Sequence, residues 1–67
     1  MPMVNKIKGF RNMAGLTQEE MSKALEISSR AYQNKEKGNS NFTINEMIKI
    51  RDTLTNRGVP VTLDDLV

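Results

Sequence analysis

The 67-residue chain contains no cysteine, histidine or tryptophan, and it has only two prolines, one tyrosine and two phenylalanines. Without Cys or His there is no disulfide framework, none of the usual zinc ligand sets, and no imidazole to activate a nucleophile. A Gly-rich phosphate loop is also missing, as is any carboxylate cluster suited to a metal. Asp64 and Asp65 are adjacent, but they read as a solvated terminal turn. Catalysis, cofactor and metal are therefore not expected. No apolar run approaches the roughly 20 residues of a membrane helix, and the start Met-Pro-Met-Val lacks the basic-then-apolar order of a signal peptide. The lack of cysteine fits a reducing compartment.

Alternating β-branched runs are absent too, which argues against strands. A domain this small buries only about 60% of the surface its unfolded chain exposes. Below about 70 to 80 residues a fold usually needs a disulfide, a metal, oligomerisation or very regular helix packing. Only the last two are open to this composition. The expected architecture is one all-α domain over residues 1–67, with four or five short helices.

The turn and cap signals divide the chain. Val4, Ile7, Phe10 and Ala14 form an apolar stripe from about Met3 to Met13, which Gly15 ends as a C′ residue. Thr17 and Glu20 have capping-box spacing and open a second helix carrying Met21, Ala24 and Leu25 at i, i+3 and i+4. Ser28 has the chemistry to cap a third helix, with Tyr32 as its core residue and Gly38 as its stop. Residues 38–42 read as a polar loop. Thr43 and Glu46 repeat the capping box and open a fourth helix whose inward face is Ile44, Met47, Ile48, the Arg51 stem and Leu54. Gly58 and Pro60 close it, and Thr62 with Asp65 has the spacing to cap one last turn.

The net charge is only +2, but it is unevenly placed. Residues 1–40 carry seven Lys/Arg against four Asp/Glu, and residues 41–67 carry three against four. The basic half is the one with two short helices joined by a tight turn, an arrangement whose second helix is suited to the DNA major groove.

The stretch LTQEEMSKALEISSRAYQNKEKG, Leu16 to Gly38, resembles the helix-turn-helix of the Cro/cI-type (XRE-like) phage repressor family. The matching positions are Leu16 to Met21, Leu25, Ile27, Ser28, Tyr32, Glu36 and Gly38; Arg11 and the fourth helix extend the likeness over roughly residues 4–55. The resemblance implies a compact lambda-repressor-like DNA-binding domain, with its helix-turn-helix at about residues 17–37. It implies a sequence-specific transcriptional regulator, a repressor acting as a homodimer on a palindromic operator in the bacterial cytoplasm. The alternative is an antitoxin or a module that regulates a partner protein. Neither a small-molecule ligand nor a membrane partner is expected.

By the same resemblance, Ser29, Arg30, Gln33 and Asn34 face base edges, where Arg suits guanine and Gln or Asn suits adenine. Ala31 reads as plain packing. Phosphate contacts are expected from Gln18, Ser28, Lys35, Lys37, Asn39, Ser40, Asn41 and Thr43, with Gln18 alternatively supporting the recognition helix. Arg11 and Glu36 match positions that form a structural ion pair. The apolar tail after Gly58, with Val59, Val61, Leu63 and Leu66, is expected at a dimer interface or packed back on helices one and four.

Three residues depart from the family pattern: Glu26 stands where a turn glycine is usual, Lys35 where a large apolar residue is usual, and Phe42 where proline is usual. Lys35 would lay its stem over the core and send its ammonium to solvent or a phosphate, with Phe42 filling the space it leaves.

Overall fold

The computed structural model describes residues 6–66, among which five helices and no strand are found. They are α1 (Lys6–Met13), α2 (Gln18–Leu25), α3 (Ser29–Lys37), α4 (Ile44–Asn56) and α5 (Leu63–Leu66). The expected start of helix one at Met3, its stripe residue Val4, and Val67 of the tail lie outside the described residues.

Local chemistry sets the helix ends. Thr17 Oγ1 accepts from the Glu20 N–H at 3.1 Å, and the Glu20 carboxylate accepts from the Thr17 N–H at 2.9 Å. Thr43 and Glu46 repeat the arrangement at 3.1 and 2.8 Å, and Thr62 with Asp65 does so around α5 at 3.3 and 2.9 Å. At α3 the Ser28 hydroxyl accepts from the Ala31 N–H at 3.1 Å. Each cap satisfies N–H groups that a helix start leaves without a partner. At the far end of α3, Gly38 lies at φ 92°, and the Asn39 N–H returns to the Asn34 carbonyl at 2.9 Å. That is the left-handed stop that lacks a Cβ penalty only in glycine.

The core draws on every helix. Ile7 comes from α1, Leu16 from the α1–α2 turn, Met21 and Leu25 from α2, Tyr32 from α3, Ile50 and Leu54 from α4, and Val61 and Leu66 from the tail. Phe10, Ala14, Ile27, Phe42, Val59 and Leu63 pack around it. α2 lies against both α3 and α4, while α5 closes over α4 and α1.

One expectation is corrected here. On α4 the fully buried residues are Ile50 and Leu54, whereas Ile44 is 66% exposed. Ile44 is the first helical residue and lies about 120° round the helix from Ile50, so the packed stripe does not reach it. In the tail, Val61 and Leu66 are buried in the chain's own core, with Val59 and Leu63 packed against it. The tail thus packs back on α1 and α4, one of its two expected places, and covers apolar faces that those helices would otherwise leave in water.

The α2–α3 turn contains the one non-glycine residue at positive φ among those described, Glu26, at φ 60° and ψ 38°. Glu26 thus occupies the conformation a glycine would take, and helix two ends where the motif requires. Its carboxylate meets Lys49 of α4 at 3.1 Å, but both side chains are well exposed. An exposed pair contributes little, whereas a left-handed residue with a Cβ costs about 1 to 2 kcal/mol. Part of that cost is offset because glycine makes the unfolded chain more flexible. Glu26→Gly is accordingly expected to raise stability by up to about 1 kcal/mol, read as a higher midpoint in urea unfolding. A lower midpoint would mean that the link to Lys49 outweighs the strain.

Candidate nucleic-acid interface

The centre of the site is a carboxylate. Glu36, on the last turn of α3, is 3% exposed. It accepts from Arg11 Nε at 2.8 Å and Nη2 at 3.2 Å, from Gln18 Nε2 at 2.8 Å and from the Tyr32 hydroxyl at 2.6 Å. The remaining Arg11 nitrogen, Nη1, donates to the Leu16 carbonyl at 2.8 Å. One acid thereby ties α1, α2 and α3 together, and the arginine also holds the α1–α2 turn. Among the described residues no buried side-chain nitrogen or oxygen lacks a partner. A buried ion pair is tolerable only when its lone pairs and protons are satisfied in this way.

The electrostatics follow from the geometry. Burial alone would push the Glu36 carboxyl up, but the bonds from Arg11, Tyr32 and Gln18 outweigh it and hold the group below the ordinary carboxylate range. Burial and the adjacent carboxylate push the Tyr32 hydroxyl far up, so it stays protonated and donates.

Around this anchor, α3 carries the residues expected to read bases. Arg30 is exposed, and Ser29, Gln33 and Asn34 are half-buried. Residues 30, 33 and 34 share a face by their i, i+3, i+4 spacing, and Ser29 sits one turn before Gln33. The Ser29 hydroxyl lies 3.4 Å from that of Ser22, a buried α2 residue that donates to the Glu19 carbonyl at 2.7 Å. Ser29 therefore stands at the seam between the two helices. Ala31 is half-buried, and Tyr32 is fully buried.

The residues expected at phosphates, Lys35 apart, divide into three groups. Lys37, Asn39, Ser40 and Asn41 are exposed at the end of α3 and in the loop that follows. Ser28 and Thr43 are exposed at helix starts, each with its hydroxyl oxygen accepting a capping bond. Gln18 is half-buried, and its amide is bonded to Glu36, so it supports α3 from the first turn of α2.

Lys35 departs from the expectation of a free ammonium. Its Nζ sits 2.7 and 2.9 Å from the two oxygens of Glu46, with the lysine side chain 17% exposed and the glutamate 13%. The side chain is largely covered, and its charge ends on the cap of α4. Phe42 also reaches inward, its ring tilted against Tyr32 at 5.8 Å between centroids.

Sequence reasoning did not find the bonds from Gln18 and Tyr32 to Glu36, the Ser22–Ser29 contact, or the Lys35–Glu46 pair. The first had a signal: Tyr32 and Glu36 are four apart on one helix. The others depend on how helices cross.

The helix-turn-helix family model (HTH_3) matches residues 7–55, most of the chain. No curated protein and no solved structure matches it at a significant level. Among the described residues no group of acids could hold a metal ion, and no helix is long and apolar enough to cross a membrane.

Because the Glu36 carboxyl is held below its ordinary value, its contribution to stability is complete above the unfolded value of about 4.3 and is lost as pH falls through the folded value. Glu36→Gln is expected to cost about 3 kcal/mol at neutral pH, since it leaves Arg11 buried without its counter-charge. Its melting temperature should also fall less than the wild type's on acidification below about pH 4.3. Parallel pH profiles for the two proteins would contradict this role.

Proposed function

The chain belongs to the helix-turn-helix (HTH_3) family of the Cro/cI type, whose members are DNA-binding regulators and not enzymes, and from that premise we propose that it is a sequence-specific transcriptional repressor acting as a homodimer on a palindromic operator. The observation that carries the reading is the exposed Arg30 of α3, on a helix that is bound through Glu36 to Arg11 of α1 and Gln18 of α2. A recognition helix has to be held in one orientation for its side chains to meet base edges, and this one is held by a saturated carboxylate.

In this reading α3 enters the major groove. Arg30 pairs with guanine O6 and N7, Gln33 and Asn34 with adenine, and Ser29 contacts the neighbouring base at the helix start. Lys37, the loop residues Asn39, Ser40 and Asn41, and the helix starts at Gln18, Ser28 and Thr43 meet phosphates, which position the protein without reading sequence. One such domain offers one recognition helix and few phosphate contacts, so two copies on half-sites about 34 Å apart supply the affinity. Occupancy of an operator overlapping a promoter blocks polymerase. The site of action is the cytoplasm of a bacterial cell.

Selection of bound duplexes from a random pool tests the reading. Wild-type protein is expected to enrich a palindrome, with binding that weakens linearly in log K against log salt concentration. Arg30→Ala should lose about 1 to 3 kcal/mol and relax preference at one base position in each half-site. Salt-independent binding would sink the DNA reading, and an equal loss on every sequence would move Arg30 to a phosphate.

A further inference from the structure

The loop between α3 and α4, residues 38–43, is closed by two contacts that the family pattern does not supply. One is Phe42 against Tyr32, whose hydroxyl belongs to the Glu36 network. The other is Lys35, on α3 before the loop, bonded through Nζ to both oxygens of Glu46 on α4 after it. The same Glu46 carboxylate accepts from the Thr43 N–H at 2.8 Å, and the Glu46 N–H donates to Thr43 Oγ1 at 3.1 Å. Lys35, Glu46 and Thr43 thus form a chain of bonds from the recognition helix to the last residue of the loop. With side chains 17% and 13% exposed, the lysine–glutamate pair is shielded from solvent, unlike Lys49–Glu26 or Lys23–Glu19, whose partners are far more open. Shielding reduces the screening that makes surface pairs weak. The Glu46 carboxyl is correspondingly held below the ordinary range: burial pushes it up, and the bonds from Lys35 and Thr43 outweigh that effect.

We propose that Lys35 and Glu46 are positioning residues that lock the 38–43 loop to the recognition helix, so that α3 and the loop meet DNA as one rigid surface, with Lys35 itself contacting no phosphate. The inference rests on the DNA-binding reading above and deepens it. A loop with fixed backbone presents its N–H groups and short polar side chains at fixed distances from the Arg30 face. A loose loop must be ordered at the moment of binding, and that ordering weakens affinity on every sequence alike. Phosphate contacts set register and not preference, so the lock governs how tightly the protein binds and not which site it selects.

The test uses the whole chain and three variants: Lys35→Met, Glu46→Gln and the double substitution. Met keeps an apolar stem over the core, and Gln keeps the capping-box spacing, so both variants are built to fold, with circular dichroism melting as the check. Duplex affinity is measured on the selected site and on scrambled DNA at several salt concentrations, alongside amide hydrogen exchange of residues 39–43. Each single variant is expected to bind about threefold to tenfold more weakly on both duplexes, with the salt slope unchanged, faster loop exchange, and a double variant no worse than the weaker single one. The proposal is overturned if Lys35→Met lowers the salt slope by about one contact while Glu46→Gln binds as well as wild type or better, because Lys35 would then be a direct phosphate ligand. It is equally overturned if wild type binds DNA and all three variants match it. Wild type that fails to bind any duplex would overturn the DNA reading itself, and is distinguished from the other outcomes because it appears before any substitution is made.

Discussion

The orientation of α3 in this fold depends on the saturation of one buried carboxylate. Glu36 receives four donated hydrogen bonds, two from the guanidinium of Arg11 and one each from Gln18 and Tyr32. A chain of this size has little apolar surface to spare for fixing helix orientations, and hydrophobic contact is in any case non-directional. Directed bonds do what the small core cannot: they set the rotation of α3 about its own axis. The cost of burying the charge is met because both carboxylate oxygens accept two bonds each and every guanidinium nitrogen has a partner, and that same completeness makes the network intolerant of losing any one member.

Around that hub the molecule uses short-range devices repeatedly. Hydroxyl side chains accept from backbone N–H groups at the starts of four of the five described helices, three of them as reciprocal boxes with an acid. Helices of eight or nine residues would be marginal alone. Here their ends are defined by local chemistry and their faces by the shared core, so the two levels agree on the same boundaries. The Glu46 carboxylate serves at both levels, as half of a cap and as the partner of Lys35.

Much of this was legible in the residues. The boxes at Thr17 and Thr43, the glycine stop at Gly38 and the burial of Tyr32 each have a local signature, and local signatures survive without knowledge of tertiary structure. The partnership of Arg11 with Glu36 came from resemblance and not from spacing, because 25 residues separate them. What could not be read depends on helix crossings. Periodicity placed Ile44 on the inward face of α4, but which of several apolar residues is inward is decided by where α2 and α5 lie, and they select Ile50. Lys35 showed only that a charge stood at a core position. Its escape route, to Glu46 rather than to solvent, required the position of α4. The tail was ambiguous for a simpler reason: an apolar segment reads the same whether it covers its own chain or another.

Glu26 adds a different kind of consequence. Its backbone is held in a left-handed turn between α2 and α3, and its exposed side chain pairs with Lys49 of α4 and takes no part in the bonds to Glu36. The strain thus sits in the turn that leads into α3 but outside the bonds made to Glu36. Because the bonds to Glu36 do not involve this turn, its strain is a store of stability that can be adjusted without removing any of them.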